Sequence, residues 1–204
     1  QAGINAAQAR IVQLDDAPVA VIRRFDRDAE DGRIPYQSAA SFLQASREED
    51  RSYFEIADAI RAHGQAPTGD MQQLWRRLVF NLLITNVDDH LQNHGFLHVE
   101  RGLWRLAPVF DVNPFPDKDR ESKTWLSERD GPITDIQMLL ARSRYFALNR
   151  DQALAVLDEV HGAVSNWRVV ACGPEIGMGP EQLDDFAPAF EHDQMAAAAV
   201  LLRR

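Results

Sequence analysis

Asn86-Val87-Asp88-Asp89-His90-Leu91-Gln92-Asn93, followed by Val109-Phe110-Asp111, is the stretch on which the reading of the fold turns. Upstream, residues 71–85 place Leu74, Trp75, Leu78, Leu82 and Leu83 at helical separations, so 88–93 is a polar loop leaving a buried helix. Downstream, residues 95–99 and 103–107 read as two short strands joined by a turn at Glu100-Arg101-Gly102. That turn sends the chain back toward the loop it has just left, which puts Asp111 close to Asn93.

The chemistry of these residue types can be stated group by group. An Asp with an Asn five positions on, and a second Asp after a strand pair, is the order in which phosphoryl-transfer enzymes place a base and two magnesium ligands. Asp88 suits the base, because the incoming hydroxyl needs a carboxylate beside it. Asp111 suits Mg²⁺, a hard cation usually held by one or two carboxylates with phosphate oxygens and water. Asn93 adds a neutral carbonyl oxygen without the repulsion that a third carboxylate would bring beside a triphosphate. ATP and Mg²⁺ are the cofactors this order implies.

Outward from the loop the organisation is coarse but legible. Residues 9–14 and 18–25 read as two strands joined around Asp15-Asp16-Ala17, and 26–36, with its charges, Gly32 and Pro35, as a linker. Residues 38–45 form a short helix capped by Ser38, and 51–62 a helix ended by Gly64. A break at 65–69 precedes the buried helix. Residues 114–132 are charged and proline-containing, a long loop of the kind that is often functional. Three helices follow over 134–146, 150–171 and 180–204, the last broken near Pro188.

Composition fits one mainly helical domain: 204 residues, 45% of them hydrophobic, are enough to build one core. The net charge of −9 argues against wrapping nucleic acid, which needs clustered Lys and Arg, so DNA would be met only through a basic partner. Single Cys172 permits no internal disulfide, and no apolar run approaches the roughly 18 residues of a membrane span. A cytoplasmic location with no membrane contact is the expectation.

Each of these residues also has a plainer reading. Asp88 or Asp89 after a helix can simply complete a turn. His90 and His94, four apart with His98 nearby, have metal-ligand spacing, but no helix continues through Asn93-His94-Gly95 and no Cys joins them. His90 is otherwise a hydrogen-bonding residue that orders the loop behind Asp88. Trp75, Trp104, Trp125 and Trp167 are core or groove residues, and Arg23, Arg24 and Arg27 a solvated strand edge or a phosphate contact.

Asp88-x-His90-x-x-Asn93, the helix before it, residues 106–114 (LAPVFDVNP) and Arg24-Phe25-Asp26-Arg27 together resemble the HipA-like toxin kinases of bacterial toxin–antitoxin systems. With Trp167 and Phe190 the resemblance covers nearly the whole chain, as a HipA-like C-terminal domain. It implies an α+β, mainly α fold: a helical protein-kinase-like C-lobe over 31–204, with a small β-hairpin remnant of the N-lobe and the hinge over 1–30. It implies a Ser/Thr protein kinase with Asp88 as the base and Asn93 and Asp111 as magnesium ligands. The hinge of residues 21–25 would pack against adenine, which sets Arg24 and Phe25, with His90, on the nucleotide side. A protein substrate such as an aminoacyl-tRNA synthetase and a small DNA-binding helix-turn-helix antitoxin are the implied partners.

Members of that family carry a glycine-rich phosphate loop, a strand Lys and a helix Glu upstream of the part matched here, and the chain opens at Gln1-Ala2-Gly3, past all of them. The expectation is a piece of a longer product that folds yet lacks a complete nucleotide site, to be completed by a separate N-lobe polypeptide. Lys118 and Lys123 are the only lysines, both in the loop after Asp111, and neither replaces the strand Lys. Two further readings stay open: a lipid-kinase-like phosphotransferase lobe, since Asp-x-His-x-x-Asn also resembles the catalytic loop of phosphoinositide kinases, and a non-catalytic binding module. An exposed apolar patch around Val19, Val21 and Ile22 is expected on the hairpin.

Overall fold

Helix α3 (Pro67–Leu83) is the spine of the molecule: Leu74, Trp75, Leu78, Val79 and Leu83 along it are all essentially inaccessible to solvent. The computed structural model describes residues 1–15, 17–46, 49–117 and 121–203; Asp16 and Lys118 lie outside the described residues. The helix opens four residues earlier than the periodicity predicts, because Pro67 takes the first helical position, where its missing N–H costs nothing and its φ is already helical. Trp75 anchors it sideways, its indole N–H donating to the Leu139 carbonyl at 3.2 Å.

Around this spine pack α2 (Tyr53–His63), α4 (Ile136–Arg142), α5 (Arg150–Ser165) and α8 (Asp193–Leu202). Their ends follow local chemistry. Ser52 and Glu55 close a reciprocal cap on α2, and Asn149 and Gln152 do the same on α5. The expected helix over 134–146 is α4 followed by a 3₁₀ turn over Ser143–Phe146, which ends at Ala147 in the left-handed region (φ 58°). The expected helix over 150–171 breaks at Asn166 into α5 and α6 (Trp167–Ala171). The expected helix over 180–204 does break near Pro188: that residue lies in the last turn of α7 (Pro180–Phe190), and the chain turns at Glu191 and His192 before α8.

The sheets are small. Strands β1 (Ala9–Leu14) and β2 (Ala17–Ile22) form an antiparallel hairpin. Strand β3 (Tyr36–Ser38), at the end of the expected linker, runs into α1 (Ala39–Phe42), which Ser38 caps, and pairs with β4 (Gly95–Glu100), itself paired with β5 (Leu103–Leu106). The two expected strands are thus two of three. Gly95 is required there, since a Cβ would lie 2.3 Å from the Tyr36 ring. The long segment before Pro132 also contains β-structure: β6 (Trp125–Ser127) and β7 (Gly131–Pro132) pair, and Trp125 N donates to the Arg51 carbonyl at 2.9 Å. The molecule is α+β with the helices carrying the core. Among the described residues no helix is long and apolar enough to cross a membrane.

Candidate active site

The loop from Ile84 to Asn93 is polar in sequence and mostly buried in the fold; only Asp88, His90 and Gln92 reach solvent to any extent. A buried polar loop must satisfy its own groups. Asn86 does so in part against the end of α3, its backbone N–H and side-chain amide donating to the backbone and side-chain oxygens of Asn81 at 2.8 and 3.1 Å, while its own Oδ1 is buried without a partner among the described residues. Thr85 sits at φ 54°, a conformation that β-branched residues avoid. It is held there by its hydroxyl on the Ala189 carbonyl (3.0 Å) and by Phe115 N–H on its own carbonyl (3.1 Å).

Asp88 and Asp89 are adjacent in sequence and opposite in environment. The Asp89 carboxylate is 2% exposed, accepts from the Tyr53 hydroxyl and, at 3.1 Å, from Lys123 N–H, while its carbonyl accepts from the Thr124 hydroxyl at 2.7 Å. Burial pushes its pKa up to about 6 against those bonds, which pull the other way. Burial and the neighbouring Asp89 charge raise the Tyr53 hydroxyl well above its ordinary value. His94, on the far side of Tyr53, is held neutral, its pKa lowered to about 3 by burial and then by the Arg77 charge. Asp88, by contrast, keeps 35% of its side chain exposed and carries an ion pair with the Lys123 ammonium.

The structure brings Asp88 and Asn93 together directly. The Asn93 amide nitrogen donates to the Asp88 carbonyl at 2.9 Å, which fixes the side chain and leaves its carbonyl oxygen for another partner. His90 lies between them in sequence; its carbonyl accepts Asn93 N–H at 2.9 Å, while its Nδ1 is buried without a hydrogen-bond partner among the described residues. It lines a pocket of about 250 Å³ with Arg51, Gln92 and Lys123.

Asp111 is carried back toward this loop by buried anchors. Arg77, 2% exposed on α3, donates to the Ala107 carbonyl at 2.6 Å, and Asp70 accepts Leu106 N–H at 2.9 Å. Burial lowers the Arg77 pKa to about 10 and raises that of Asp70. Ala107 N–H bonds the Gly95 carbonyl (2.8 Å), and beyond Asp111 the Phe115–Thr85 bond ties the chain to the loop again. Between these ties Asp111 is exposed and held at φ 54°, with Asn113 donating to one carboxylate oxygen at 3.0 Å. A non-glycine residue in this conformation costs energy, and such strain collects at functional sites.

Asp111 opens onto a cleft of about 910 Å³ bounded by Ile22 of the hairpin, Val109, Phe110 and the C-terminal residues Trp167 and Phe190. The rings of Trp167 and Phe190 stack there at 4.5 Å. Phe25 packs 5.5 Å from Phe110, at the edge of this region, while Arg24 is mostly exposed and pairs with Asp26, whose pKa it holds down to about 2. Neither Arg24 nor Phe25 lines the cleft. The residues that sequence reasoning missed are Tyr53, Arg77, Lys123 and Thr124. Tyr53 and Arg77 look like ordinary helix residues, and the other two stand in a segment without periodicity.

No group of three or more His, Cys, Asp or Glu side chains among the described residues is arranged to hold a metal. That leaves no protein cage; the Asp111 carboxylate and the Asn93 amide oxygen are each of the donor type that Mg²⁺ takes, an ion usually bound by one or two carboxylates together with substrate phosphates and water.

Comparison with known proteins agrees with the fold. The chain is similar over 109 residues, at 30% identity, to a candidate kinase of Haemophilus influenzae, a match covering 48% of this chain and 32% of that protein. Its fold is similar to HipA of Shewanella oneidensis MR-1, solved with HipB and operator DNA, with a TM-score of 0.75 at 18% identity over 97% of this chain and 51% of that one. It is also similar to the Helicobacter pylori proinflammatory kinase CtkA, with a TM-score of 0.64 at 16% identity over 99% of this chain and 82% of that one. The chain thus spans about a third of the Haemophilus protein and half of HipA. The profile of the HipA-like C-terminal domain matches residues 1–167, and the chain belongs to that family.

Proposed function

We propose that this chain is the catalytic lobe of a HipA-like Ser/Thr protein kinase that uses ATP and Mg²⁺. The observation that carries the reading is the pairing of a half-exposed Asp88 with an Asn93 whose amide is fixed on the Asp88 carbonyl, in a loop that buried groups tie to the Asp111 segment. Asp88 is the base. The acceptor oxygen bonds to the γ-phosphorus as the bond from that phosphorus to the bridging oxygen breaks; the electron pair leaves with ADP, and the hydroxyl proton passes to Asp88.

Asn93 and Asp111 would hold Mg²⁺, which when bound supplies positive charge to the phosphates. The nucleotide lies in the cleft that Asp111 opens onto; Arg24 and Phe25 stand outside its lining and are set beside adenine, and His90 on the nucleotide side, by the family likeness alone. By the family likeness a glycine-rich loop and a strand Lys complete the nucleotide site, of which Asp88, Asn93 and Asp111 are the base and metal-ligand side. Its protein substrate and a HipB-like antitoxin partner, through which alone it would meet DNA, follow from the family.

The test uses the full-length protein. Asp111→Ala abolishes transfer while leaving the fold intact, because an exposed loop carboxylate contributes to the site more than to the core. Asp88→Asn cuts turnover by roughly 10²-fold or more with Mg-nucleotide affinity within a few-fold. Substantial activity in Asp111→Ala removes the metal assignment, and a large loss of nucleotide binding in Asp88→Asn makes Asp88 a ligand instead of the base.

A further inference from the structure

Lys123 has a backbone fixed by the core and a side chain that, among the described residues, is held by Asp88. Its N–H bonds the buried Asp89 carboxylate at 3.1 Å, and the next residue's hydroxyl bonds the Asp89 carbonyl at 2.7 Å. On its other side, the Ser122 hydroxyl donates to the Thr124 carbonyl at 2.6 Å and accepts Ile133 N–H at 2.8 Å. The segment is therefore held against the loop independently of the ammonium. The ammonium itself rests on Asp88, with 57% of the Lys123 side chain and 35% of the Asp88 side chain exposed. A pair this open to water contributes little to folding. Its place matters more than its energy.

A base that receives the acceptor's proton stands beside the oxygen being phosphorylated, so a cation resting on that base stands beside the transferring group as well. The phosphoryl group in flight spreads negative charge over its equatorial oxygens and is stabilised by cations held ready for it. Lysine suits this geometry because its ammonium is a compact charge on a flexible stem. When Asp88 takes up the proton it loses its charge, and with it the hold on Lys123. Resting on the kinase reading above, we propose that Lys123 is a further catalytic residue, whose ammonium sits on Asp88 before transfer and passes to the phosphoryl oxygens as Asp88 is protonated. Nothing in the bond changes of the transfer step is altered; Lys123 keeps its proton throughout.

The experiment compares full-length wild type, Lys123→Met and Lys123→Arg. Calorimetry measures binding of Mg-ADP alone and of Mg-ADP with aluminium fluoride, a stand-in for the phosphoryl group in flight, and steady-state assays give kcat and the KM for ATP. Lys123→Met is expected to bind Mg-ADP within about twofold of wild type, to weaken the aluminium fluoride complex about tenfold or more, and to lower kcat similarly with little change in KM. Lys123→Arg restores part of both, and all three proteins unfold at the same temperature. If Lys123→Met binds the aluminium fluoride complex as tightly as wild type, or keeps its kcat while Asp88→Asn does not, the role of Lys123 is overturned and the kinase reading stands. If wild type neither binds Mg-ADP nor transfers phosphate, the kinase reading fails and this role falls with it.

Discussion

The β1–β2 hairpin and the loop after α3 both border the cleft, and they are built in opposite ways. Every described hairpin residue is exposed except Val12, which is half-buried; Ile11, Leu14, Val19, Val21 and Ile22 present apolar side chains to water. The loop carries Asn86, Asp89 and Asn93 in the interior, each hydrogen-bonded. An apolar strand pair left outside and a polar loop taken inside invert the usual distribution. The inversion teaches where rigidity was placed. The groups assigned to phosphoryl transfer are mounted on the core, whereas the hairpin depends on its own ladder.

The largest way to break this contrast is to weaken the spine under the loop. Trp75→Ala removes a fully buried indole and its bond to Leu139, and is expected to cost about 3–5 kcal/mol, read as a lowered denaturant midpoint. The loop's fixation should fail with it, seen as faster amide exchange at Asn86 and Asn93.

A smaller effect comes from Asp89, and its sign follows from its pKa. Burial raises this group from an ordinary 3.8 to about 6, so between about pH 4 and 6 the folded chain keeps a proton that the unfolded chain has lost. The Asp89 contribution to stability is therefore fully present below about pH 4, declines as pH rises to about 6, and is flat above. Asp89→Asn cannot titrate, so its stability relative to wild type should improve by roughly 1–3 kcal/mol between pH 4 and pH 7. Chemical denaturation of both proteins across that range measures it; a difference independent of pH would mean that Asp89 stays ionised in the fold.

The hairpin should show the least. Val21→Thr and Ile22→Thr together change exposed positions on a strand where threonine is well tolerated, so unfolding should move by no more than about 0.5 kcal/mol. What should change is association: the pair of substitutions removes exposed apolar surface, and light scattering at high concentration should show less self-association than in wild type.

Much of the fold was legible because it is local. Helical spacing marks α3, Gly64 ends α2, and the turn at Glu100-Arg101-Gly102 announces β4 and β5. Asp88, Asn93 and Asp111 stand out by order and residue type alone. Strand β3 was hidden because three residues have no period, and it exists only because β4 offers an edge. The stop at Asn166 is set by what that turn packs against.

By itself the sequence determined the helical spine, the hairpins and the order of Asp88, Asn93 and Asp111, since spacing, caps and turn residues act within a few positions of one another. Only the tertiary structure decided that Asp89 is sealed against Tyr53 while its neighbour Asp88 faces solvent, that Thr85 and Asp111 are held at positive φ, and that Lys123 rests on Asp88 from 35 positions away. Those outcomes depend on which long-range partner reaches a group first and excludes water from it, and no local spacing encodes that.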